Sequence, residues 1–305
     1  MAGSKRVRIR IPATTANCGP GFDTLGIACT MYNEVELELT GSKESVQLHL
    51  TGDGADTLPT NDRNLVLRSV RTVLERANER DTGIRLNMHN VVPLSRGLGS
   101  SSAAIIGGLV AANSFLGEPF TKPELLDMAT KIEGHPDNVA PALYGGFTVS
   151  VMQGDRVICL QLPIPAELQL VVCIPDFRLS THKARQAIPS TIPHTDAVFN
   201  VSRTALLVGA LTTGQPNYLA DALDDRLHQP YRAPLIPGMD AVFAAGRQAG
   251  ALGVAMSGAG PSLMAYTLEN ADAVGEAMTK AFQAYGVSSR YVRLGVDYEG
   301  ARVVK

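Results

Sequence analysis

A run of glycines and serines that leads into an apolar segment is the part of the sequence best suited to binding a charged ligand. Its residues are Pro93-Leu94-Ser95-Arg96-Gly97-Leu98-Gly99-Ser100-Ser101-Ser102-Ala103. Glycines let the backbone wrap around an anion, and a helix predicted at about 100–116 would offer unpaired N–H groups and the positive end of its dipole. The serines add hydroxyl donors and a candidate magnesium ligand. The run lacks the ending of a Walker loop and the dinucleotide fingerprint, and a tight turn with a serine cap is its plain alternative.

Five further segments carry either charged, amide and hydroxyl side chains or a cluster of glycines. These segments are Ile11-Pro12-Ala13-Thr14-Thr15-Ala16-Asn17-Cys18-Gly19-Pro20-Gly21-Phe22-Asp23-Thr24-Leu25-Gly26, Glu133-Gly134-His135-Pro136-Asp137-Asn138-Val139-Ala140-Pro141, Ser180-Thr181-His182-Lys183-Ala184-Arg185, Pro230-Tyr231-Arg232-Ala233-Pro234-Leu235-Ile236-Pro237-Gly238 and Ser257-Gly258-Ala259-Gly260-Pro261-Ser262. A carboxylate such as Asp23 can receive an ammonium group, while Arg185 and Arg232 can take a carboxylate. His49, His89, His194 and His228 lie outside any such context, and the sequence assigns them no role.

Three of these segments resemble the motifs of the GHMP kinases, the superfamily of galactokinase, homoserine kinase, mevalonate kinase and phosphomevalonate kinase. The run 93–103 resembles their phosphate-binding motif, and 257–262 resembles their third motif. The segment 11–26 resembles the first motif of the homoserine kinases in particular. The segment 133–141 resembles their segment with the magnesium-binding glutamate, and 180–185 and 230–238 resemble their amino-acid-binding segments. The motifs occur in the expected order, and the resemblance spans nearly the whole chain.

The resemblance implies a role for each matching residue. ATP would contact Asn64 near the adenine and, at the phosphates, Pro93, Leu94, Ser95, Arg96, Gly97, Leu98, Gly99, Ser100, Ser101, Ser102, Ala103, Ser257, Gly258 and Gly260. The substrate would lie among Asn17, Asp23, His135, Asn138, Thr181, Arg185 and Arg232. Glu133 and Ser101 would hold Mg²⁺, and Glu133, Ser101, Asn138 and Arg185 form the expected catalytic set.

The elements that must position these residues occur in blocks of strands and helices, which favours an α+β fold with antiparallel sheets. Alternating apolar and charged residues predict strands at 7–11, 34–39 and 46–50. Thr121-Lys122-Pro123-Glu124 is a capping box that predicts a helix to about residue 132, and Gln153-Gly154-Asp155-Arg156 joins a predicted hairpin. Further on, a helix is expected at 215–227, and a strand at 289–296 is expected to close the chain.

The resemblance implies the two-domain GHMP kinase fold, with a ribosomal-protein-S5-like N-terminal domain and a ferredoxin-like C-terminal domain. Pro163-Ile164-Pro165 is the best candidate for the boundary. The N-terminal kinase domain with the phosphate loop would then cover 1–165 and the C-terminal domain 166–305, with the nucleotide between them.

Composition narrows the choice of partners. The 305 residues are 45% hydrophobic and 18% charged, with a net charge of −2, which argues against nucleic-acid or anionic-membrane partners. The longest apolar stretch, 103–112, is too short to span a bilayer. Four cysteines without paired metal spacing are typical of a reduced, cytoplasmic protein.

The expected reaction is the ATP-dependent phosphorylation of L-homoserine to O-phospho-L-homoserine in threonine biosynthesis, with small molecules as partners and a homodimer suggested by the resemblance. The alternative is a GHMP kinase for threonine or a mevalonate-type acid. The latter has no ammonium group for Asp23, and threonine carries a secondary hydroxyl. A non-catalytic nucleotide-binding protein would not need Glu133. Asn138 stands where sister kinases place an aspartate, so the proton acceptor is either Asp23 or a phosphate oxygen.

Overall fold

Two β-sheets organise the chain in the computed structural model, which describes residues 6–40, 45–79 and 82–305. The seven strands of the first sheet are β1 (Arg6–Ala16), β2 (Leu25–Thr40), β3 (Val46–Gly52), β4 (Gly83–Asn90), β5 (Phe147–Gln153), β6 (Arg156–Leu162) and β11 (Arg302–Val304). They follow the order β11-β1-β2-β4-β3, with β5 added to β2 and β6 to β5.

The second sheet has four strands, β7 (Gln169–Pro175), β8 (Gly253–Met256), β9 (Leu263–Thr267) and β10 (Ser289–Leu294). Their order is β10-β7-β9-β8, and every neighbouring pair is antiparallel. The third predicted motif is the turn between β8 and β9. The sheet therefore holds residues 257–262 at one end of two buried strands.

Helices cover both sheets. They are α1 (Leu65–Arg76), α2 (Ser100–Phe115), α3 (Lys122–Glu133), α4 (Pro136–Tyr144), α5 (Thr181–Gln186), α6 (His194–Thr212), α7 (Leu219–Ala222), α8 (Gln229–Arg232), α9 (Met239–Gln248) and α10 (Ala271–Ala284). Single turns of 3₁₀ helix occur at Pro216–Tyr218 and Ala233–Leu235. None of the helices in the described residues is long and apolar enough to cross a membrane.

Helix α2 lies at the centre of the first core. Nearly all of it after Ser101 is buried, because it is apolar on every side and packs against α1, β1, β2, α3 and α4. On β1, Val7, Ile9 and Ile11 point into this core while Arg8 stays exposed, as the alternation predicts. A helix enclosed in this way can move little, so the first turn of α2 has a fixed position.

The α+β class and several predicted elements are confirmed. Helix α2 begins at Ser100, and Thr121 accepts a hydrogen bond from the Glu124 N–H in the capping box that starts α3. The predicted hairpin is β5 and β6, with Val149 opposite Leu160. Helix α4 carries Pro141 in its interior, and the sequence predicted no helix there.

Three expectations about individual elements are wrong. Strand β3 pairs with β4 in parallel, and β11 follows β10 and returns to β1. The single helix expected at 215–227 is interrupted after α7. There the Asp225 carboxylate accepts hydrogen bonds from the N–H groups of Leu227, His228 and Gln229, and this side-chain turn replaces the helical pattern.

The division of the chain at residue 165 stays a prediction. The strands of the first sheet end with β6 at Leu162, and the second sheet begins with β7 at Gln169. Strand β11 nevertheless belongs to the first sheet, so the last residues of the chain contribute to the layer formed by its first half.

Candidate active site

The phosphate-loop motif is held against both sheets by hydrogen bonds. The Leu98 carbonyl accepts from the Thr14 N–H on β1 at 3.1 Å. The Gly97 carbonyl accepts from the Ser257 hydroxyl at 2.6 Å, and the Arg96 carbonyl accepts from the Ser262 N–H at 3.3 Å. The loop thus joins the first and third motifs, which are far apart in the sequence.

The start of α2 is suited to binding an anion. Gly99 occupies the N-cap position in the left-handed conformation, with φ of 68°, and no side chain caps the helix. The N–H groups of the first turn therefore have no intrahelical acceptor, and they add to the positive end of the helix dipole. The apolar run that follows them makes this end of the helix rigid as well as positive.

A cavity of about 500 Å³ opens in front of this helix terminus. Of the residues expected in the site, it is lined by Asn17, Asp23, Asn64, Leu94, Ser95, Arg96, Gly97, Gly99, Ser100, Ser101, Glu133, His135, Asn138, Thr181, Arg185, Arg232 and Gly258. Six others are buried behind the lining, namely Pro93, Leu98, Ser102, Ala103, Ser257 and Gly260. These six residues do not face the cavity; they pack behind it, four in the phosphate-loop motif and two in the turn between β8 and β9.

At one end, the cavity wall is formed by residues next to α1. Asn64 is the N-cap of α1: its Oδ1 accepts from the N–H groups of Val66 and Leu67, and its Nδ2 donates to the Pro59 carbonyl. Most of its hydrogen-bonding capacity is therefore used inside the protein. Thr57, Leu58, Pro59, Leu65, Val66 and Met88 complete a mainly apolar wall, which suits a planar ring.

An acidic and a hydroxyl oxygen meet beside the first turn of α2. Glu133 Oε1, at the end of α3, accepts from Ser101 Oγ at 2.7 Å and from Ser102 Oγ at 3.0 Å. Glu133 and Ser101 both line the cavity. A carboxylate and a hydroxyl at this separation are the hard oxygen donors that Mg²⁺ prefers, so the donor set fits that ion.

At the other end of the cavity, Asp23 and Arg185 form a bidentate ion pair. Arg185 donates to the two carboxylate oxygens of Asp23 at 2.9 and 2.6 Å. The hydrogen bond to Asp23 raises the pKa of Arg185, which keeps the guanidinium charged. Asn17 supports the loop from within, because its Oδ1 accepts from the Asp23 N–H at 3.0 Å and its Nδ2 donates to the Gly258 carbonyl at 2.8 Å.

Arg232 lies in the same part of the cavity but is only 1% exposed. Its guanidinium donates to the Ala184 carbonyl at 3.1 Å and to the Gly258 carbonyl at 3.3 Å. Burial, with a smaller contribution from the positive charge of Arg185, lowers its pKa to about 10. The side chain is therefore still protonated at neutral pH.

His135 and Asn138 lie between the two ends. His135 Nδ1 is 2.5 Å from Asp137 Oδ1. Burial alone would lower the pKa of His135, but the hydrogen bond and charge of Asp137 outweigh it, and the pKa is raised. Asn138 Oδ1 accepts from the Thr14 hydroxyl at 2.7 Å, which fixes the orientation of the amide.

Asp23, His135 and Asp137 could offer one ligand atom each to a metal ion, since these atoms lie within 4.8 Å of one another. All three are already paired, because Asp23 binds Arg185 and Asp137 binds His135. The Glu133 and Ser101 pair, which adjoins the anion-binding helix terminus, is therefore the better place for a metal.

Sequence reasoning missed several residues of the cavity. Arg63 and Arg178 line it as exposed cations, and Asn90 and Ala259 also contribute. Thr14 reaches Asn138, and Asp137 braces His135. Asp137 and Thr14 lie inside the motif segments 133–141 and 11–26, so the sequence could have indicated that they are near the site. Arg63 and Arg178 stand in no motif, and nothing in the sequence singled them out.

Comparisons with known proteins give one consistent result. The family model "GHMP kinases N terminal domain" matches residues 64–146, and "GHMP kinases C terminal" matches residues 207–284. The chain is 45% identical to the homoserine kinase of Moorella thermoacetica over 97% of its own length and 99% of the relative. It is 48% identical to that of Gloeobacter violaceus over 97% and 98%. The crystal structure of homoserine kinase from Cytophaga hutchinsonii superposes with a TM-score of 0.91 at 33% identity, covering 100% of this chain and 99% of the other.

Gly97 gives a test of the loop geometry that is independent of ligands. A Cβ at Gly97, where φ is 75°, would lie 2.1 Å from the Ser257 carbonyl oxygen, whereas one at Gly117, where φ is 84°, would meet nothing within 4 Å. Both alanine variants carry left-handed strain of about 1–2 kcal/mol. We expect Gly97→Ala to lose about 1–3 kcal/mol more from overpacking, measured by urea unfolding. Equal losses in the two variants would contradict the close packing of the loop on residues 257–260.

Proposed function

The chain belongs to the homoserine kinases of the GHMP kinase family, and on that premise we propose how its residues carry out ATP-dependent phosphorylation of L-homoserine to O-phospho-L-homoserine. The observation that carries the assignment of the acceptor is the charge pattern at one end of the cavity. Asp23 lies beside two guanidinium groups, Arg185 and Arg232, while the neighbouring Asp137 carboxylate is paired with His135. An amino acid with separate ammonium and carboxylate groups is the complement of that pattern.

The acceptor would bind by exchanging partners with the internal ion pair. Its ammonium group would take a place on the Asp23 carboxylate, and its carboxylate would bind Arg232 and Arg185. The pairing of Asp23 with Arg185 keeps both side chains oriented toward the cavity. Thr181, His135 and Asn17 complete the wall around the remaining atoms of the substrate.

The phosphates of ATP would lie at the first turn of α2, with the adenine against the wall near Asn64. Phosphoryl transfer depends mainly on alignment and on neutralising charge, which the free N–H groups and the serine hydroxyls supply. Glu133 and Ser101 would hold Mg²⁺, which when bound neutralises charge on the phosphates. Arg96 adds a cation whose orientation is fixed by its hydrogen bond to the Pro175 carbonyl at 2.9 Å.

Asn138 would orient the substrate hydroxyl and would not accept its proton. Its Oδ1 is used by Thr14, and its Nδ2, which donates one hydrogen to Asp137 Oδ1 at 3.4 Å, has a second hydrogen that would donate to the substrate. Both oxygens of Asp23 are occupied by Arg185, which makes Asp23 a poor base. Of the two proton acceptors that the sequence left open, we therefore favour a phosphate oxygen.

Threonine or a mevalonate-type acid is less well matched to this site. A mevalonate-type acid carries no ammonium group, so Asp23 would face it without a partner. Threonine has its hydroxyl on a secondary carbon one atom nearer the charged groups, which would place it farther from the phosphate. We further propose that the reaction serves threonine biosynthesis in the cytoplasm, in keeping with four free cysteines, and that the chain forms a homodimer.

The acceptor is tested by measuring ADP release with ATP and a panel of amino and hydroxy acids. L-Homoserine should give the highest kcat/KM, because it alone combines the zwitterion with a primary hydroxyl at the right distance. L-Threonine, L-serine and mevalonate serve as comparisons. A clear preference for an acceptor without an amino group would contradict the assignment of Asp23.

The metal-binding role of Glu133 is tested with Glu133→Gln. Removing this charge should lower kcat by about 10²-fold, or about 2.7 kcal/mol of barrier. The Mg²⁺ dependence of nucleotide binding, followed by fluorescence, should shift to higher metal concentration. Glu75→Gln, an exposed change on α1 outside the cavity, is the matched control. Normal turnover of Glu133→Gln at limiting Mg²⁺ would rule out the role.

Arg232→Leu separates the acceptor end from the nucleotide end. The substrate carboxylate does not change during transfer, so losing its partner should mainly raise KM for homoserine. We expect kcat/KM to fall by about 30- to 1,000-fold while the affinity for ATP stays nearly unchanged. Arg247→Leu on the exposed face of α9 is the control. Loss of ATP binding with an unchanged homoserine KM would contradict this role and assign Arg232 to phosphate binding instead.

A further inference from the structure

His228 lies directly behind the acceptor end of the cavity, and the reaction as described so far does not use it. The side chain is 0% exposed and immediately precedes α8, the helix that ends in Arg232. Its two ring nitrogens contact two different parts of the site. Nε2 is 2.8 Å from the Gly19 carbonyl oxygen, and Nδ1 is 3.2 Å from Arg232 Nη1.

These two contacts determine the protonation state of the ring. A carbonyl oxygen can only accept, so Nε2 must carry a hydrogen, and a guanidinium can only donate, so Nδ1 must present a lone pair. The ring is therefore neutral, with its hydrogen on Nε2. Burial, against the raising effect of the Asp225 charge, lowers the pKa of His228, which agrees with the neutral ring.

The charged groups around His228 do not replace either contact. Asp225 Oδ2 comes within 3.6 Å of Nε2, but it already accepts from the N–H groups of His228 and Gln229. Asp225 Oδ1 accepts from Asn200 Nδ2 and the Leu227 N–H. Arg232 faces Nδ1, and the Phe22 ring, next to Asp23, lies 5.2 Å from the imidazole. Asp225 thus shapes the turn, while His228 contacts the site.

Arg232 differs from Arg185 in the partners that it has. Its three acceptors, the Ala184 and Gly258 carbonyls and His228 Nδ1, are all uncharged. In the described part of the chain, no carboxylate lies within the 4.0 Å of an ion pair to Arg232, whereas Arg185 is paired with Asp23. A buried guanidinium with neutral partners keeps its positive charge available for an incoming carboxylate.

The contact with Gly19 links the His228 imidazole to the loop that carries Asp23, the residue that would bind the ammonium group of the acceptor. Gly19 and Asp23 belong to one loop, in which the Gly21 N–H donates to the Asn17 carbonyl at 2.9 Å. Phe22 of that loop lies 5.4 Å from each of the guanidinium carbons of Arg185 and Arg232. A side chain that binds Gly19 on one side and Arg232 on the other sets the spacing between the two charged ends of the pocket.

We propose that His228 is a positioning residue for the acceptor: as a neutral hydrogen-bond bridge it holds Arg232 and the Gly19–Asp23 loop at the separation of an amino acid's carboxylate and ammonium groups. The proposal rests on the proposed function, because it takes the acceptor to be a zwitterion bound by Asp23 and Arg232. It assigns His228 no contact with the reacting atoms.

The first experiment compares His228→Phe, which keeps the ring shape without either hydrogen bond, with His228→Asn, whose Oδ1 can still accept from Arg232. His228→Phe should raise the homoserine KM by about tenfold or more, with kcat and the ATP KM changed by less than about threefold. His228→Asn should recover most of the affinity. Phe282→Leu, in the core of α10, controls for a general loss of stability. An unchanged homoserine KM in His228→Phe, or no recovery in His228→Asn, would overturn the proposal.

The second experiment is a double-mutant cycle with Arg232→Leu. If His228 acts through Arg232, His228→Phe should change the homoserine KM by less than about twofold in the Arg232→Leu background. Equal fold-changes in the two backgrounds would mean a structural effect independent of Arg232, and would overturn the proposal. Failure of the proposed function would look different, because the unmodified protein would then not phosphorylate homoserine at all.

The third measurement needs no variant and therefore does not depend on whether His228→Phe folds. Long-range ¹⁵N–¹H correlation spectra of the histidine-labelled protein report the tautomer of each ring. His228 should remain neutral, with its hydrogen on Nε2, across about pH 6 to 8. A hydrogen on Nδ1, or titration of His228 within this range, would overturn the bridge.

Discussion

The hydrogen bond from the Ser257 hydroxyl to the Gly97 carbonyl, at 2.6 Å, is the contact on which the arrangement of the site depends. Ser257 Oγ also lies 2.9 Å from Thr15 Oγ1, so a single buried side chain joins the turn between β8 and β9, the phosphate loop and β1. Because the loop leads straight into α2, which is enclosed by the first core, fixing Gly97 fixes the free N–H groups of the helix terminus relative to the second sheet. The nucleotide end lies on the first sheet, whereas the acceptor end combines the loop between β1 and β2 with α5, α8 and the turn between β8 and β9. This junction would therefore set the distance that a phosphoryl group has to cross.

The two ends of the cavity solve opposite electrostatic problems. Under the proposed function, the nucleotide end would hold several negative charges with a helix terminus and hydroxyl donors, whose partial charges are permanent and need no counterion. The acceptor end would recognise one charge of each sign with fully charged side chains. There, Asp23 and Arg185 neutralise each other until a substrate arrives, and Arg232 remains buried among neutral acceptors. This division explains why the proposed acceptor end draws on the loop between β1 and β2, on α5 and on α8, whereas one loop and one helix form most of the proposed phosphate site.

The sequence predicted the local structure of the glycine-serine loop better than the long-range contacts around it. Glycines at 97 and 99, followed by serines and an apolar segment, form a local pattern that predicts a loop leading into a helix without information from the rest of the chain. Helix α2 does begin at Ser100. The pairing of Ser101 with Glu133 followed from the family resemblance. In contrast, the ion pair of Asp23 with Arg185 joins residues 162 positions apart, and the contact of His228 with Gly19 joins residues 209 positions apart. No local pattern encodes such pairs. For Asn64 the family resemblance implied a contact with the adenine. In the structure its side chain lines the cavity but mainly caps α1.

Arg232 also shows how a functional residue can be distinguished from a structural one by its partners. Arg302, which is also partly buried, is matched by Asp297 at 3.0 Å, and that pair satisfies both charges within the fold. Burying a guanidinium without an acid costs stability, and a fold retains such a group only if something else compensates for it. Among the described residues Arg232 has only neutral acceptors, and it lines the cavity. This departure from the usual rule for buried charge supports the proposal that the carboxylate of the acceptor binds at Arg232.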